Sequence, residues 1–258
     1  MALRDGSGVR WGPMPHVLIT GGSRGLGLGL ARQYLQRGHA VTITGREQPA
    51  LDAAVALLRP HGPVAALALD AGDLDATVKG LRALDERVGG LDVVIANAGV
   101  GADPSKGAPY SWEAIAQALH VNFTGAAATL TAVLPAMVER RRGHLVGISS
   151  LASYGALPNA AAYCAPKAGL NMLLDCLALD TRGTGVAVTT VKLGFVKTRM
   201  VETATHPMPQ LMEVDDAARR VVRALEARPR VVTVPRTLAF GAWVGGALPL
   251  AVKAKLPR

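Results

Sequence analysis

The stretch His16-Val17-Leu18-Ile19-Thr20-Gly21-Gly22-Ser23-Arg24-Gly25-Leu26-Gly27 runs from a short apolar strand signal into a helix through a glycine-rich turn. Glycines there let the backbone turn sharply, approach a pyrophosphate closely and pack the helix against the strand. A helix opening near Leu26 offers free N–H groups and the positive end of its dipole to an anion in the turn. Such turns also occur without ligands, so position decides: this one follows the first strand signal of the chain.

Outward from that turn, short β-branched runs alternate with longer helical stretches. Strands are expected at His16–Thr20, Ala40–Thr44, Val64–Leu69, Leu91–Ala96, His144–Ser149, Ala187–Leu193 and Arg230–Val234. Most are near-continuous apolar runs, the pattern of strands buried on both faces. Helices are expected at Leu26–Arg37, Gln48–Leu58, Leu74–Val88, Trp112–Glu139, Ala161–Thr181 and Asp215–Ala227. Strand–helix alternation implies right-handed crossovers, hence an α/β fold: a doubly wound, mainly parallel sheet with helices on both faces. No linker or repeat interrupts residues 1–258, so one domain is expected, with an extension at 1–14, a loop at 199–213 and a tail at 236–258. Ligands of such sheets bind outside the carboxyl ends of the strands, which makes the residues directly after each strand the ones to inspect.

Composition narrows the class. Half of the 258 residues are hydrophobic and 18% are charged, which excludes a disordered tail or a solvated helical rod. The net charge of +9 favours anionic partners, but no helix-turn-helix, zinc finger or aromatic-studded basic strand accompanies it, so nucleic acid is not expected. Cys164 and Cys176 fall on one expected helix and no Cys/His metal spacing occurs, which points to a reducing, cytoplasmic setting without a metal. Residues 1–15 lack the apolar core of a secretory signal. The apolar run Leu238–Val252 falls short of the about 20 residues a spanning helix needs.

The second strand ends Thr44-Gly45-Arg46, without the carboxylate that usually grips the adenosine ribose of NAD. Arg46 and Arg24 can instead clamp a 2′-phosphate by charge-assisted hydrogen bonds, so NADP(H) is expected over NAD(H). The competing reading is two solvated surface arginines.

Tyr163-Cys164-Ala165-Pro166-Lys167 carries the reactive pattern. Positions i and i+4 share a helix face, so the phenol and the ammonium can enter one cleft. A nearby cation lowers the phenol pKa from its ordinary value near 10 toward the range useful for acid–base work. Pro166 is tolerable if the helix starts near Ala161 or Ala162, where N–H groups lack partners anyway. Ser150, at the end of strand five, presents a hydroxyl on the same rim. For Ser149, Ser153 and Tyr154, capping or turn roles are expected rather than catalysis.

Gly21, Gly25 and Gly27 match a TGxxxGxG spacing rather than GxGxxG. With Ser150 lying 13 residues before Tyr163, and Lys167 four after it, the chain resembles the short-chain dehydrogenase/reductase family over about Pro15 to Glu226. The resemblance implies a Rossmann-type sheet of about seven strands and a nicotinamide cofactor. It implies cofactor contacts at Gly21, Ser23, Arg24, Gly25, Leu26, Gly27 and Arg46, at Asp70 and Ala71 by the adenine, and at Asn97, Ala98 and Gly99 after strand four. Tyr163, Lys167, Gly194, Val196 and Thr198 complete that implied set. It further implies that Ser150 holds a substrate carbonyl, that Tyr163 protonates the alkoxide formed by hydride from NADPH, and that Lys167 lowers the Tyr163 pKa and holds the nicotinamide ribose. Asn122 would anchor a water relaying protons to Lys167. The expected activity is reduction of a hydrophobic aldehyde or ketone, or the reverse alcohol oxidation; a non-catalytic NADP(H)-binding sensor or scaffold is the alternative.

The family usually has Pro-Gly after strand six, where this chain has Leu193-Gly194. Met200 to Met212 occupies the place of the family's substrate flap; its methionines suit varied apolar ligands, with ordinary core packing as the equal alternative, and His206 is expected to be solvated. The resemblance implies a homodimer or homotetramer through the Trp112–Glu139 and Ala161–Thr181 helices. The run Leu238–Val252 is expected to pack over the substrate cleft or a subunit neighbour, with a peripheral membrane element as the second reading. Arg140-Arg141-Arg142 is expected to be a solvated helix end.

Overall fold

A computed structural model describes residues 14–101, 111–201 and 208–253. Seven strands form one sheet: β1 (His16–Ile19), β2 (Ala40–Gly45), β3 (Val64–Ala68), β4 (Val93–Ala96), β5 (Gly143–Ser150), β6 (Val186–Leu193) and β7 (Val231–Val234). Their order is β3-β2-β1-β4-β5-β6-β7, and every neighbouring pair is parallel. The order reverses between β1 and β4, which opens a crevice at their carboxyl ends where the glycine turn lies.

The strands are apolar on both sides because both sides are covered. Val17 and Ile19 face a core completed by α1 (Gly25–Leu35), α2 (Gln48–Leu58) and α8 (Val214–Leu225), through Leu30, Leu51, Leu58 and Val221. Leu18, between them, faces the opposite core, built with α3 (Leu74–Val88), α5 (Ala126–Ala132), α6 (Leu134–Glu139) and α7 (Ala161–Asp180), through Leu81, Leu130, Met137 and Leu174. Alternation along a strand delivers successive side chains to two different layers.

The expected helix Trp112–Glu139 is broken into pieces. It comprises α4 (Trp112–Leu119), a π segment at His120–Gly125, then α5 and α6. At Gly125 a Cβ would lie 2.3 Å from the Ala71 carbonyl oxygen, so the π turn brings bare backbone against the end of β3. The second break precedes Pro135, which lacks an N–H and crowds the preceding turn. By length and apolarity this stretch could cross a membrane, yet Ala118, Leu130 and Met137 are buried in the fold, which makes it a core layer.

In the arginine run before β5, Arg141 and Arg142 are exposed past the end of α6, as expected, and only Arg140 is drawn inward. Arg140 forms a two-pronged ion pair with buried Asp85 (2.7 and 2.9 Å), Arg141 donates to the Gly183 carbonyl, and Arg142 pairs with Asp92 at 3.0 Å. The tail also holds an element that apolar periodicity did not announce: α9 (Arg236–Ala247), followed by the short α10 (Leu250–Lys253). The expected extension at 1–14 lies outside the described residues except for Met14.

Candidate functional site

The crevice is assembled by hydrogen bonds between the ends of β1 and β4. Thr20 Oγ1 accepts from the backbone N–H groups of Asn97 and Ala98, both at 3.1 Å. The Asn97 side-chain amide donates to the carbonyls of Thr20 (2.9 Å) and Gly21 (3.2 Å). Thr20 and Asn97 thus act as fasteners for the turn, and the expectation of Asn97 as a cofactor contact overlooked this scaffold duty.

Within the turn the glycines are sterically required. Gly21 has φ +65°, and a Cβ on it would meet the Ala98 Cα at 2.9 Å. A Cβ on Gly27 would lie 2.3 Å from the Gly21 carbonyl oxygen, so helix α1 rests directly on the turn. Arg24 at the N-cap makes no side-chain cap, and the first turn of α1 holds no acidic residue. The N-terminal N–H groups are therefore available to an anion, and the cradle has the form a pyrophosphate requires. Ser23 Oγ lies close to Gly45, and Thr198 lies over Gly25, its Cγ2 3.3 Å from where a Cβ would sit. Arg24 and Arg46 are exposed at the same rim, and among the described residues neither forms an ion pair.

Farther round, Asp70 accepts from the Gly72 N–H (2.9 Å), fixing the bend after β3, with Ala71 buried beside the π segment. Asn122, buried in that segment, grips the chain beyond β4: its Oδ1 accepts from Val100 N–H (2.7 Å) and its Nδ2 donates to the Val100 carbonyl (2.9 Å). Gly99 passes so close that its Cβ would lie 3.0 Å from Asn122 Oδ1. Each polar end of the Asn122 side chain makes one hydrogen bond to Val100. A π turn with such a residue is a frequent mark of a working site.

The reactive trio converges where β5 meets α7. Ser150 Oγ accepts from the Ala152 N–H at 3.1 Å and donates to the Leu193 carbonyl at 3.4 Å, and Tyr163 stands in the first turn of α7. Lys167 is buried on the next turn of α7, its Nζ donating to the Ile148 carbonyl of β5 at 2.8 Å. Burial holds the Lys167 ammonium down at about 8, against an ordinary 10.5. Burial pushes the Tyr163 phenol up, with the Ser150 hydrogen bond pulling against it. The Lys167 amine is directed to the strand backbone in this arrangement. Ser150 is the group that moderates the phenol.

The neighbouring candidates have structural duties. Ser149 Oγ donates to the Lys167 carbonyl (3.3 Å), and Ser153 donates to the Ser150 carbonyl while accepting from Asn171. Tyr154 has a partner that helical spacing could not reveal: the Lys192 ammonium of β6 sits 4.2 Å from its ring centroid. Gly194 is needed where a Cβ would meet Pro235 and Leu238, and Val196 is buried and bridged to Met212. Met212 is a core residue, whereas Met200 is exposed and lies against Gly101. His206 and the middle of the expected flap lie outside the described residues.

A family model described as short chain dehydrogenase matches residues 15–209. The chain belongs to the short-chain dehydrogenase family. An uncharacterized oxidoreductase of Myxococcus xanthus is 45% identical over 239 residues, covering 90% of this chain and 92% of the relative. The human short-chain dehydrogenase/reductase 3 is 30% identical over 229 residues, covering 86% and 76%. Among solved structures, a short-chain dehydrogenase from Sphingobium yanoikuyae in complex with NADPH superposes with a TM-score of 0.78 at 27% identity, covering 95% of this chain and 97% of that one. A metagenomic short-chain oxidoreductase in complex with NADP gives 0.72 at 30% identity, covering 85% and 96%. As a short-chain dehydrogenase the protein is an oxidoreductase, and its sheet of seven parallel strands is the Rossmann-type fold expected from the sequence.

Proposed function

We propose that the protein is an NADP(H)-dependent carbonyl reductase, using Tyr163 as the proton donor to an alkoxide formed beside Ser150. The placement of Ser150 at the end of β5 beside the first turns of α7, which carry Tyr163 and the Lys167 whose Nζ reaches the β5 backbone, supports this reading. The residues present fit NADP(H): the α1 N–H groups would hold its pyrophosphate, Arg24 and Arg46 its 2′-phosphate, and Thr198 and Lys167 its nicotinamide end. The chemistry NADPH supplies when bound is hydride transfer to the carbonyl carbon.

The chain's own residues do the rest. Ser150 can hold the substrate oxygen, and Tyr163, in the first turn of α7, can give it a proton. Stabilising the developing oxyanion distinguishes the transition state from the ground state. A phenol raised by burial stays protonated at neutral pH, which suits reduction, whereas alcohol oxidation needs the phenolate and gains as pH rises. The Met200 side of the crevice and the apolar residues of α9 favour a hydrophobic carbonyl compound. Exposed Trp112, Met172 and Leu179 on α4 and α7 support a homo-oligomer through those helices.

The deciding experiment compares Tyr163→Phe with the parent chain for NADPH oxidation across aldehydes, ketones, quinones and 3-ketoacyl thioesters. The variant should bind NADPH unchanged and lose at least about a hundredfold in turnover. Undiminished turnover refutes the assignment.

A further inference from the structure

We propose that the outward face of α9 and α10 docks on an anionic lipid surface. The inference goes beyond the proposed reaction and does not depend on it. In α9 the inward and outward faces carry the opposite of what a helix on a water-soluble domain usually shows. The inward face is small: Ala239 is buried, and a Cβ on Gly246 would lie 2.2 Å from the Tyr154 carbonyl oxygen. Small residues let α9 lie flat against the turn that follows Ser150. The outward face is large and apolar, with Phe240 69% exposed and Trp243 57% exposed, beside exposed Val244. Arg236, Phe240, Trp243 and Ala247 follow the i, i+4, i+7, i+11 spacing of one helix face. The patch continues past Pro249 into Leu250, which is 72% exposed, while Lys253 pins α10 back by donating to the Gly246 carbonyl at 2.8 Å.

Charge selects the occupant. From Pro235 to Arg258 the sequence has four Lys or Arg residues and no Asp or Glu. Arg236 stands exposed at the first turn of α9, at one end of the apolar patch, while the Lys253 ammonium at the other end is turned inward onto Gly246. A second copy of the same face would bring cations against cations with no carboxylate from the segment to pair them. An anionic bilayer supplies both halves: headgroups for the bases and an interfacial layer for Trp243 and Phe240, where indole is favoured. Because α9 rests on Tyr154 and Leu238 packs at Gly194, the docked face lies beside the rim bearing Ser150, so an apolar substrate held in lipid has a short path to the crevice.

The test is flotation of the full-length protein with vesicles of phosphatidylglycerol and phosphatidylcholine, and with phosphatidylcholine alone. The parent chain should float with the anionic vesicles and much less with the zwitterionic ones. Phe240→Ser with Trp243→Ser should lower the floated fraction at least about tenfold, with an unaltered melting temperature. Should that double variant not fold, Arg236→Glu replaces it and should lower anionic flotation several-fold while leaving the fold intact. Absence of parent flotation overturns the proposal. So does undiminished flotation of the folded variant, or reversible self-association through Phe240 and Trp243 in sedimentation without lipid binding.

Discussion

Replacing Lys167 by Met should make the protein more stable and less active at once. The amine is buried, and its pKa in the folded chain lies at about 8 rather than 10.5. Each pH unit between those values is worth about 1.4 kcal/mol, so near neutral pH the folded state bears a desolvation cost of roughly 3 kcal/mol for keeping this cation. Methionine removes that cost but also the 2.8 Å hydrogen bond to the Ile148 carbonyl, a loss of about 1 kcal/mol. The net gain of roughly 2 kcal/mol corresponds to a rise of about 5 °C in Tm for a chain of this size. The pH dependence separates this account from generic repacking. Because the folded pKa is depressed, the unfolded chain binds the extra proton between about 8 and 10.5, so the parent gains stability as pH rises through that window. The variant has no such gain, and its advantage should be full below pH 8 and gone above 10.5. Thermal melts of parent and variant near pH 7 and near pH 10 measure it, alongside a turnover expected to fall about a hundredfold. A variant less stable than the parent at neutral pH, or an advantage equal at both pH values, would refute the reasoning.

Other perturbations probe the cradle and the sheet. Gly27→Ala places a Cβ 2.3 Å from the Gly21 carbonyl oxygen, where only backbone can give way; NADPH titration should show at least tenfold weaker binding, with about 2 kcal/mol lost in denaturant melts. Arg24→Ala with Arg46→Ala should weaken NADPH binding by roughly ten- to a hundredfold and leave NADH alone, and an equal effect on both cofactors rules out a 2′-phosphate clamp. His16 and His144 are held neutral, with pKa values lowered to about 4 chiefly by burial. As pH falls from 6.5 to 4 the unfolded chain takes up protons that these rings refuse, so stability should drop by up to roughly 3 kcal/mol for each. His144→Gln should flatten that acid limb in melts at a series of pH values; an unchanged slope removes His144 from the account.

Much of this protein was legible along the chain because the signals are local. Glycine spacing in Thr20–Gly27, unbroken apolar runs for doubly covered strands and the four-residue offset of Tyr163 and Lys167 each depend on backbone geometry over a few residues. From these followed the fold class, the carboxyl end of the sheet that holds the crevice and the sharing of one helix face by Tyr163 and Lys167, while Ser150 joined them through its family-like spacing. The rest depends on which distant segments become neighbours. Lys167 meets the Ile148 carbonyl rather than the Tyr163 phenol because α7 crosses β5 at that height. Lys192 covers the Tyr154 ring because β6 lies next to β5, with Ser150 paired to Leu193. Asn122 is turned onto Val100 by a π segment, and Arg140 reaches Asp85 across 55 residues of sequence. Only packing of Gly246 on Tyr154 decides which side of α9 faces outward. Periodicity reports what a segment must bury or expose; the partner that does the burying, and the pKa that burial imposes, exist only once the chain has folded.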